Sequence, residues 1–173
     1  MRRQAVRTTT GRFAGFFAAA IFAVMPAAAQ AEPIPVAVAA FDNYDTAGET
    51  PESTAAHAAR VESFAGLLED QLAGAEGYRV VPLACAAPPC SAGSMAASEL
   101  IAAARAVGAR VLVYGGIHKM STLIQMGKVQ AVDLTSDQLV LDQAFSFRGD
   151  TDEAFRRAAQ FVVRYLEDAA PAE

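Results

Sequence analysis

The residues whose types could support chemistry stand where predicted strands end. His118 can exchange a proton near neutral pH or bind a metal, and Asp42 and Asp45 could act together as a carboxylate pair. Each has a simpler alternative, with His118 as a solvated hairpin residue and the aspartates as acceptors of turn hydrogen bonds. The full set of candidate binding residues is Asp42, Asn43, Tyr44, Asp45, His118, Lys119, Arg148 and Asp150.

No motif in the sequence assigns a reaction to these residues. It contains no nucleophile elbow, phosphate-binding loop, zinc-protease motif or dinucleotide fingerprint. The two histidines, His57 and His118, are too few and too distant in sequence to specify a metal site, and His57, which stands among alanines, is expected on the surface of a helix. The sequence therefore predicts no catalytic residue, no metal and no cofactor, and it favours a function other than catalysis.

The two cysteines, Cys85 and Cys90, enclose four residues, of which two are prolines. A disulfide is the main prediction, and it would stiffen the loop between them. A redox-active pair usually has two intervening residues, and a metal site would need further cysteines or histidines nearby. Those two alternatives stay open on the sequence alone.

The amino-terminal segment has the pattern of a secretory signal. Arg2, Arg3 and Arg7 occur without an acidic residue, and residues 13–25 are nearly all apolar, which is shorter than the roughly 20 residues that a membrane-spanning helix needs. We predict a cleavable signal peptide over residues 1–31, with a cut after Ala29 as the alternative. The paired arginines leave the export route open between the general secretory and twin-arginine pathways.

Removal of the first 31 of the 173 residues leaves a chain of 142 residues, predicted to form one domain over residues 32–173 in the periplasm. The segment removed contains four of the 14 basic residues and none of the 19 acidic ones, so the mature net charge is −9. Phosphate binding requires clustered basic residues, so we expect no nucleic-acid partner. The mature chain has no apolar segment long enough to span a membrane.

The hydrophobic pattern predicts the element order β-α-β-α-β-β-β-α. Three short strands at residues 34–41, 78–82 and 110–117 are separated by two helices, of which the second has Ser94 as its expected cap. Such crossovers predict that these strands run parallel. Two alternating strands follow, at residues 123–132 and 139–148, joined by a hairpin turn.

Two finer details are predicted in the second half of the chain. The apolar positions of the fourth strand change phase near Gly127-Lys128, which predicts a β-bulge there. Asp150 is expected to cap the last helix, with Glu153 as its capping-box partner. The fold class is therefore α/β, a single mixed sheet of three to five strands with helices packed on it.

Polar loops gather at the carboxyl ends of parallel strands in such sheets, and ligands often bind there. This rule predicts that the candidate residues form one polar rim.

Three segments carry a family resemblance. The run YGGIHKMSTLIQ at 114–125, KVQAVD at 128–133 and FRGDTDEAF at 147–155 together resemble a family of uncharacterised exported bacterial proteins known only as a domain of unknown function. More distantly, the last two strands and capped helix are similar to the small α/β domain shared by the amino-terminal part of the Tol-Pal translocation protein and the curli and penicillin-binding-protein-activator lipoproteins. That resemblance implies binding of other envelope proteins. The chain lacks the lipid-attachment cysteine of those lipoproteins, which implies a soluble state.

The leading hypothesis is a soluble periplasmic domain that binds an envelope protein or peptide through the rim or through an exposed edge of the sheet. The rival hypothesis is a binder of a small molecule or metal, or a weak hydrolase, centred on His118, Lys119, Asp42 and Arg148.

Overall fold

The computed structural model describes residues 32–169, which form six strands and three helices. The predicted signal peptide at residues 1–31 lies outside this range. The strands are β1 (Ile34–Val38), β2 (Asp42–Asp45), β3 (Tyr78–Val80), β4 (Val111–Lys119), β5 (Ile124–Asp133) and β6 (Gln138–Arg148). The helices are α1 (Pro51–Gly74), α2 (Ala97–Ala106) and α3 (Asp152–Asp168).

The strands form one mixed sheet in the order β3-β1-β4-β5-β6. β3, β1 and β4 are parallel, and β4, β5 and β6 are antiparallel neighbours. Both the α/β class and these strand directions confirm the prediction. Among residues 32–169, β6 is an outermost strand, paired with β5 on one side only.

The strand β2 was not predicted, because Asp42–Asp45 reads as a polar turn. It pairs in parallel with the second half of β4, along the line that β1 follows in the first half. Val38 pairs with Val113, and Asp42 pairs with Gly116. The segment between Val38 and Asp42 is therefore one residue longer than the segment of β4 between Val113 and Gly116. The nine-residue β4 would otherwise leave half of its backbone edge unpaired, and this need outweighs the low strand propensity of aspartate and asparagine.

The two faces of the sheet are covered unequally. α1 and α3 cover one face with a large core that includes Phe64, Leu68, Phe145 and Phe155. Phe64 lies at its centre, with its ring 4.9 Å from that of Phe41 and 6.0 Å from that of Phe155. The ten-residue α2 packs over a smaller cluster on the other face, around β1, β3 and the first half of β4. We call the remainder of that second face the open face.

The predicted bulge near Gly127-Lys128 is wrong. β5 alternates without interruption there, with Gln125, Gly127 and Val129 buried, whereas Ile124 and Met126 are exposed. Gly127 belongs to the covered face because the ring of Phe145 occupies the space of a side chain: a Cβ on Gly127 would lie 2.1 Å from Cζ of that ring. Because the glutamine is buried and the methionine is exposed, the hydrophobicity pattern of β5 does not predict which of its residues face the core. The register shift lies instead beside Ala131, at the other end of β5.

Two helix caps also differ from prediction. Thr151, and not Asp150, caps α3, since its hydroxyl accepts from the Ala154 amide at 3.2 Å. α2 begins beyond Ser94, at Ala97, and the carboxylate of Glu99 accepts from the amide of Ala96 at 3.2 Å. Asp150 is thereby left to bond elsewhere.

The cysteine loop is closed as predicted. Cys85 and Cys90 form a disulfide. The loop leads to Ser91, which forms an isolated parallel bridge with Ala40 beside the start of β2.

Candidate functional site

The structure divides the predicted rim between the two faces of the sheet. Successive residues of a strand point to opposite faces, so His118 lies on the open face and Lys119 on the covered face. In the paired strand β2, Asp42 and Tyr44 lie on the open face with His118, whereas Asn43 and Asp45 lie on the covered face. Asp42 and Asp45 therefore do not form the carboxylate pair that the sequence left possible.

On the covered face, Lys119 is enclosed by carboxylates. Its side chain is 0% exposed, and Nζ donates to Oε2 of Glu49 at 2.6 Å and to Oδ2 of Asp150 at 2.7 Å. Lys119 ends β4, Glu49 precedes α1, and Asp150 precedes α3. One ammonium group therefore joins three elements of the fold.

His57 and Arg60 of α1 complete this buried ionic cluster of Glu49, His57, Arg60, Lys119 and Asp150. Nδ1 of His57 and Nη1 of Arg60 lie 3.0 and 3.2 Å from Oδ1 of Asp150. The expectation that His57 lies on a helix surface is wrong, since the residue is fully buried. Its spacing from Val61 and Phe64 continues the buried stripe of α1, and that helical period was the available signal.

The pKa directions of Asp150 and Lys119 both favour the charged forms of these two residues. Burial alone would raise the pKa of Asp150, but the hydrogen bonds from Lys119 and His57 outweigh it and hold that pKa below its ordinary value. Burial alone would lower the pKa of Lys119, but the bonds to Asp150 and Glu49 outweigh it and raise that pKa. With Lys119 shielded from solvent, the cluster ties helices to the sheet and offers its ammonium group to no substrate.

The open face has a row of three side chains in register, Tyr44, His118 and Met126. Nε2 of His118 lies 2.7 Å from the hydroxyl oxygen of Thr46, and a Cβ on Gly116 would lie 3.3 Å from the Tyr44 ring, so that ring rests against the strand backbone. A groove of about 430 Å³ passes over this row. Its lining residues include Asp42, Tyr44, Tyr114, Gly116, His118, Met126, Lys128 and Gln130.

The two aspartates of β2 both make structural hydrogen bonds, Asp42 to a distant segment of the chain and Asp45 within its own turn. Asp42 accepts from the Ser91 hydroxyl at 2.7 Å and from the Gly93 amide at 2.9 Å, which fixes the segment after the disulfide at one side of the groove. Asp45 accepts from the amide of Ala47 at 2.9 Å, the turn bond that the simpler alternative predicted. Asn43 is exposed in a shallow depression beside α1. Arg148 is exposed at the end of β6, away from the groove.

Apolar side chains gather in the open at the tip of the β4–β5 hairpin and on the adjoining open face. Tyr44 is 57% exposed and Leu123 is 69% exposed, and Met120, Ile124 and Met126 are exposed beside them. We call these five residues the hairpin patch. They account for five of the seven large apolar side chains that are exposed within residues 32–169, and this clustering makes the hairpin patch a candidate interaction surface. The sequence pattern missed it by assigning Ile124 and Met126 to a buried face.

Neither a metal site nor a membrane-spanning helix is found within residues 32–169. Among residues 32–169, no three His, Cys, Asp or Glu side chains come together to hold a metal ion. None of the helices in the same range is long and apolar enough to cross a membrane.

A family model matches residues 35–166 of the chain. The family is DUF3280, described as a protein of unknown function (DUF2380). This confirms the resemblance to an uncharacterised domain family. No curated protein matches the sequence.

Solved structures of low sequence identity share the fold. TolB from Acinetobacter baumannii matches with a TM-score of 0.52 and 14% identity over 81% of this chain, which corresponds to only 29% of the TolB chain. Lipoprotein GNA1162 from Neisseria meningitidis matches with a TM-score of 0.51 and 13% identity, over 80% of this chain and 100% of the lipoprotein chain. The PelC dodecamer from Paraburkholderia phytofirmans matches with a TM-score of 0.52 and 15% identity, over 82% of this chain and 90% of the PelC chain. The predicted distant likeness to a Tol protein and to lipoproteins is thus confirmed at the level of fold.

Proposed function

Since this chain belongs to the DUF3280 family, whose function is unknown, we propose from its site that it is an exported periplasmic domain that binds an envelope protein through the open face and the hairpin patch. The single observation that carries the proposal is the hairpin patch. Elsewhere within residues 32–169 only two large apolar side chains, Leu139 and Phe161, are exposed, so exposure of this kind is concentrated in the hairpin patch.

The surroundings of the hairpin patch suit a protein partner. Tyr44, Met126 and Ile124 share the open face, and polar or charged groups border them, among them His118 and the ion pair between Lys128 and Asp142 at 2.9 Å. An apolar centre with a polar rim is the usual composition of a protein–protein interface. The tyrosine and methionines supply large contact areas, which makes them the expected anchors.

Export is supported by independent features. The disulfide between Cys85 and Cys90 is typical of a protein that matures in an oxidising compartment, and residues 1–31 have the signal pattern. The likeness to a lipoprotein and to a dodecamer is in keeping with an envelope role that depends on contact between proteins.

The test compares three variants in envelope extracts. Leu123→Glu and Met126→Glu place charges in the hairpin patch. Leu139→Glu is the control, since Leu139 is also exposed, at 48%, but lies at the end of β6 that is far from the hairpin patch. We expect crosslinking to recover one partner with the unmodified protein and with the control but not with the patch variants. Recovery that is equal for all three variants, or no recovery of a reproducible partner, contradicts the proposal.

A second function is favoured by the size of the groove. Its volume of about 430 Å³ falls within the range of small-molecule sites, and His118 and Tyr44 offer polar contacts in it. Lys119 and Arg148, which the rival hypothesis included, lie outside this groove, so the candidate ligand contacts reduce to Asp42, Tyr44, His118 and Lys128. A thermal-shift panel of metals and metabolites, run on the protein and on His118→Ala, tests it. A ligand that stabilises both proteins equally, or none at all, rules it out.

A further inference from the structure

A second groove runs along the free edge of the sheet, away from the open face. It has a volume of about 370 Å³ and lies between β6 and α3. Four consecutive residues, 145 to 148, line it from the strand side, so the groove follows the backbone of β6 as well as one of its faces. The sheet order ends with β6, and within residues 32–169 no strand pairs with this edge.

The helix side of this groove is basic. Arg157, Phe161 and Arg164 recur at helical spacing on α3 and line the groove together with Arg148 of the strand. Of the aspartates and glutamates in residues 32–169, none lines the groove. Three arginines without an acid are unexpected in a chain whose net charge is −5, because its charged surface is otherwise mostly acidic.

Two of these arginines have no ionic partner in the described part of the chain. Arg157 forms an ion pair with Glu153 at 3.1 Å, but no carboxylate of residues 32–169 lies within 4 Å of the guanidinium groups of Arg148 and Arg164. Arg164 is placed over the ring of Phe161, with its Cζ 5.1 Å from the ring centroid. That contact orients the guanidinium and leaves its hydrogen-bond donors for a ligand.

We propose that the β6–α3 groove binds an extended, acidic polypeptide segment, which adds to β6 as a further strand and places carboxylates on Arg148 and Arg164. Free amides and carbonyls of the edge supply the main-chain bonds, and the arginines select acidic side chains. Arg148 lines the groove from the strand side and Arg164 from the helix side. Alternate residues of an extended segment lie on one face, so acidic residues two positions apart can present their carboxylates together to these two flexible side chains.

The proposal is independent of the proposed function, since the hairpin patch does not line this groove. A Leu123→Glu variant is expected to bind the acidic segment as the unmodified protein does. Loss of one activity therefore leaves the other measurable.

The experiment measures fluorescence anisotropy of a labelled peptide of about eight residues in which Glu and Thr alternate, against the same peptide with Gln for Glu. We expect the Glu peptide to bind about tenfold more tightly at low salt, with the preference decreasing as salt is added. Arg148→Gln with Arg164→Gln should remove that preference. Arg156→Gln is the matched control, because Arg156 is exposed on the same helix but does not line the groove.

Strand addition has its own readout. Two further Glu peptides carry proline at one or the other of two adjacent central positions. Adjacent amides of a strand point to opposite sides, so one of these peptides loses an amide that faces β6 and should bind about tenfold more weakly. The bound Glu peptide should also slow hydrogen exchange of the β6 amides. Equal affinity for the Glu and Gln peptides, no binding of either, or indifference to the proline overturns the proposal. Self-association through β6, detected by sedimentation equilibrium and abolished by the arginine substitutions, would assign the edge to a second copy and would also overturn it.

Discussion

Lys119 shows how a single residue position can determine whether a charge becomes structural. Its neighbour His118 faces the groove, whereas Lys119 is placed among the carboxylates of Glu49 and Asp150 with no exposed side-chain surface. Burial of an ammonium group is costly unless its hydrogen bonds are satisfied. Two carboxylates within 2.7 Å provide that compensation, and they come from the loops that precede α1 and α3.

Substitution of Lys119 by methionine should therefore be strongly destabilising. We expect the free energy of unfolding to fall by about 3–5 kcal/mol, because buried carboxylates lose their partner. Lys128→Met is the control, since Lys128 is half-exposed and its pair with Asp142 should be worth less than about 1 kcal/mol. Urea denaturation at neutral pH measures both values. Similar losses for the two variants would show that Lys119 has no special role.

The same cluster predicts the pH dependence of stability. The pKa values of Asp150 and Glu49 are lowered in the folded protein, so the unfolded chain binds more protons and stability falls as pH decreases through the folded values. The raised pKa of Lys119 has the opposite sign: its contribution is complete below the ordinary 10.5 and is lost as pH rises through the folded value.

These two limits predict a stability plateau between the ordinary carboxyl value of 4.5 for Glu49 and the ordinary 10.5 for Lys119. Urea unfolding midpoints measured from pH 3 to pH 7 should decline on the acid side, and the decline should be smaller in Lys119→Met. A variant with the same acid-side slope as the unmodified protein would assign that slope to other groups.

At the scale of elements, β4 is the strand on which the sheet depends, since β1, β2 and β5 all pair with it. Its central glycine permits this arrangement. A Cβ on Gly115 would lie 2.1 Å from the backbone oxygen of Lys128 and 2.7 Å from the ring of Phe41. Backbone cannot yield as a flexible side chain can, so this position requires glycine.

Gly115→Ala should therefore lower the free energy of unfolding by about 1–3 kcal/mol. Gly66→Ala provides the matched control, because Gly66 lies within α1 with no atom near its missing Cβ, and there alanine should stabilise by about 0.5–1 kcal/mol. Thermal and urea unfolding of both variants give the comparison. An unaffected Gly115→Ala variant would mean that β4 and β5 can separate without loss.

The elements that follow a regular pattern could be predicted from the sequence, and the exceptions have physical causes. The helices carry long apolar stripes, and the parallel strands are continuous apolar runs, so their positions and directions are confirmed. β2 is polar, and only the unpaired edge of β4 explains it. Gln125 and Met126 reverse the expected hydrophobic phase of β5, which conceals the exposed apolar residues there.

At the scale of the whole molecule, the candidate residues could be listed from the sequence but not assembled. The loops after parallel strands do meet, as the contacts of Asp42 with Ser91 and of Lys119 with Asp150 show. The alternation of β4 then separates His118 from Lys119, and no local pattern predicts that Asp150 binds across to α1 instead of capping α3. Long-range contacts of this kind depend on the packing of three elements at once.

The proposed export also makes a prediction for the whole chain. Mass spectrometry of protein isolated from the periplasm should show a chain that begins at Glu32, with Cys85 and Cys90 oxidised. Replacing both cysteines by serine should lower the free energy of unfolding by about 2 kcal/mol, because the disulfide closes only a short loop. An uncleaved chain recovered from the cytosol would contradict the proposed location.

Because helices cover only one face of the sheet at β5, the residues of this strand that pack in the core alternate with those that face solvent. In β5 the odd-numbered residues from 125 to 131 are buried, whereas 124, 126 and 128 face solvent. Under the proposed function, substitutions at the even-numbered positions can change partner binding while the buried odd-numbered positions, and with them the fold, stay unchanged.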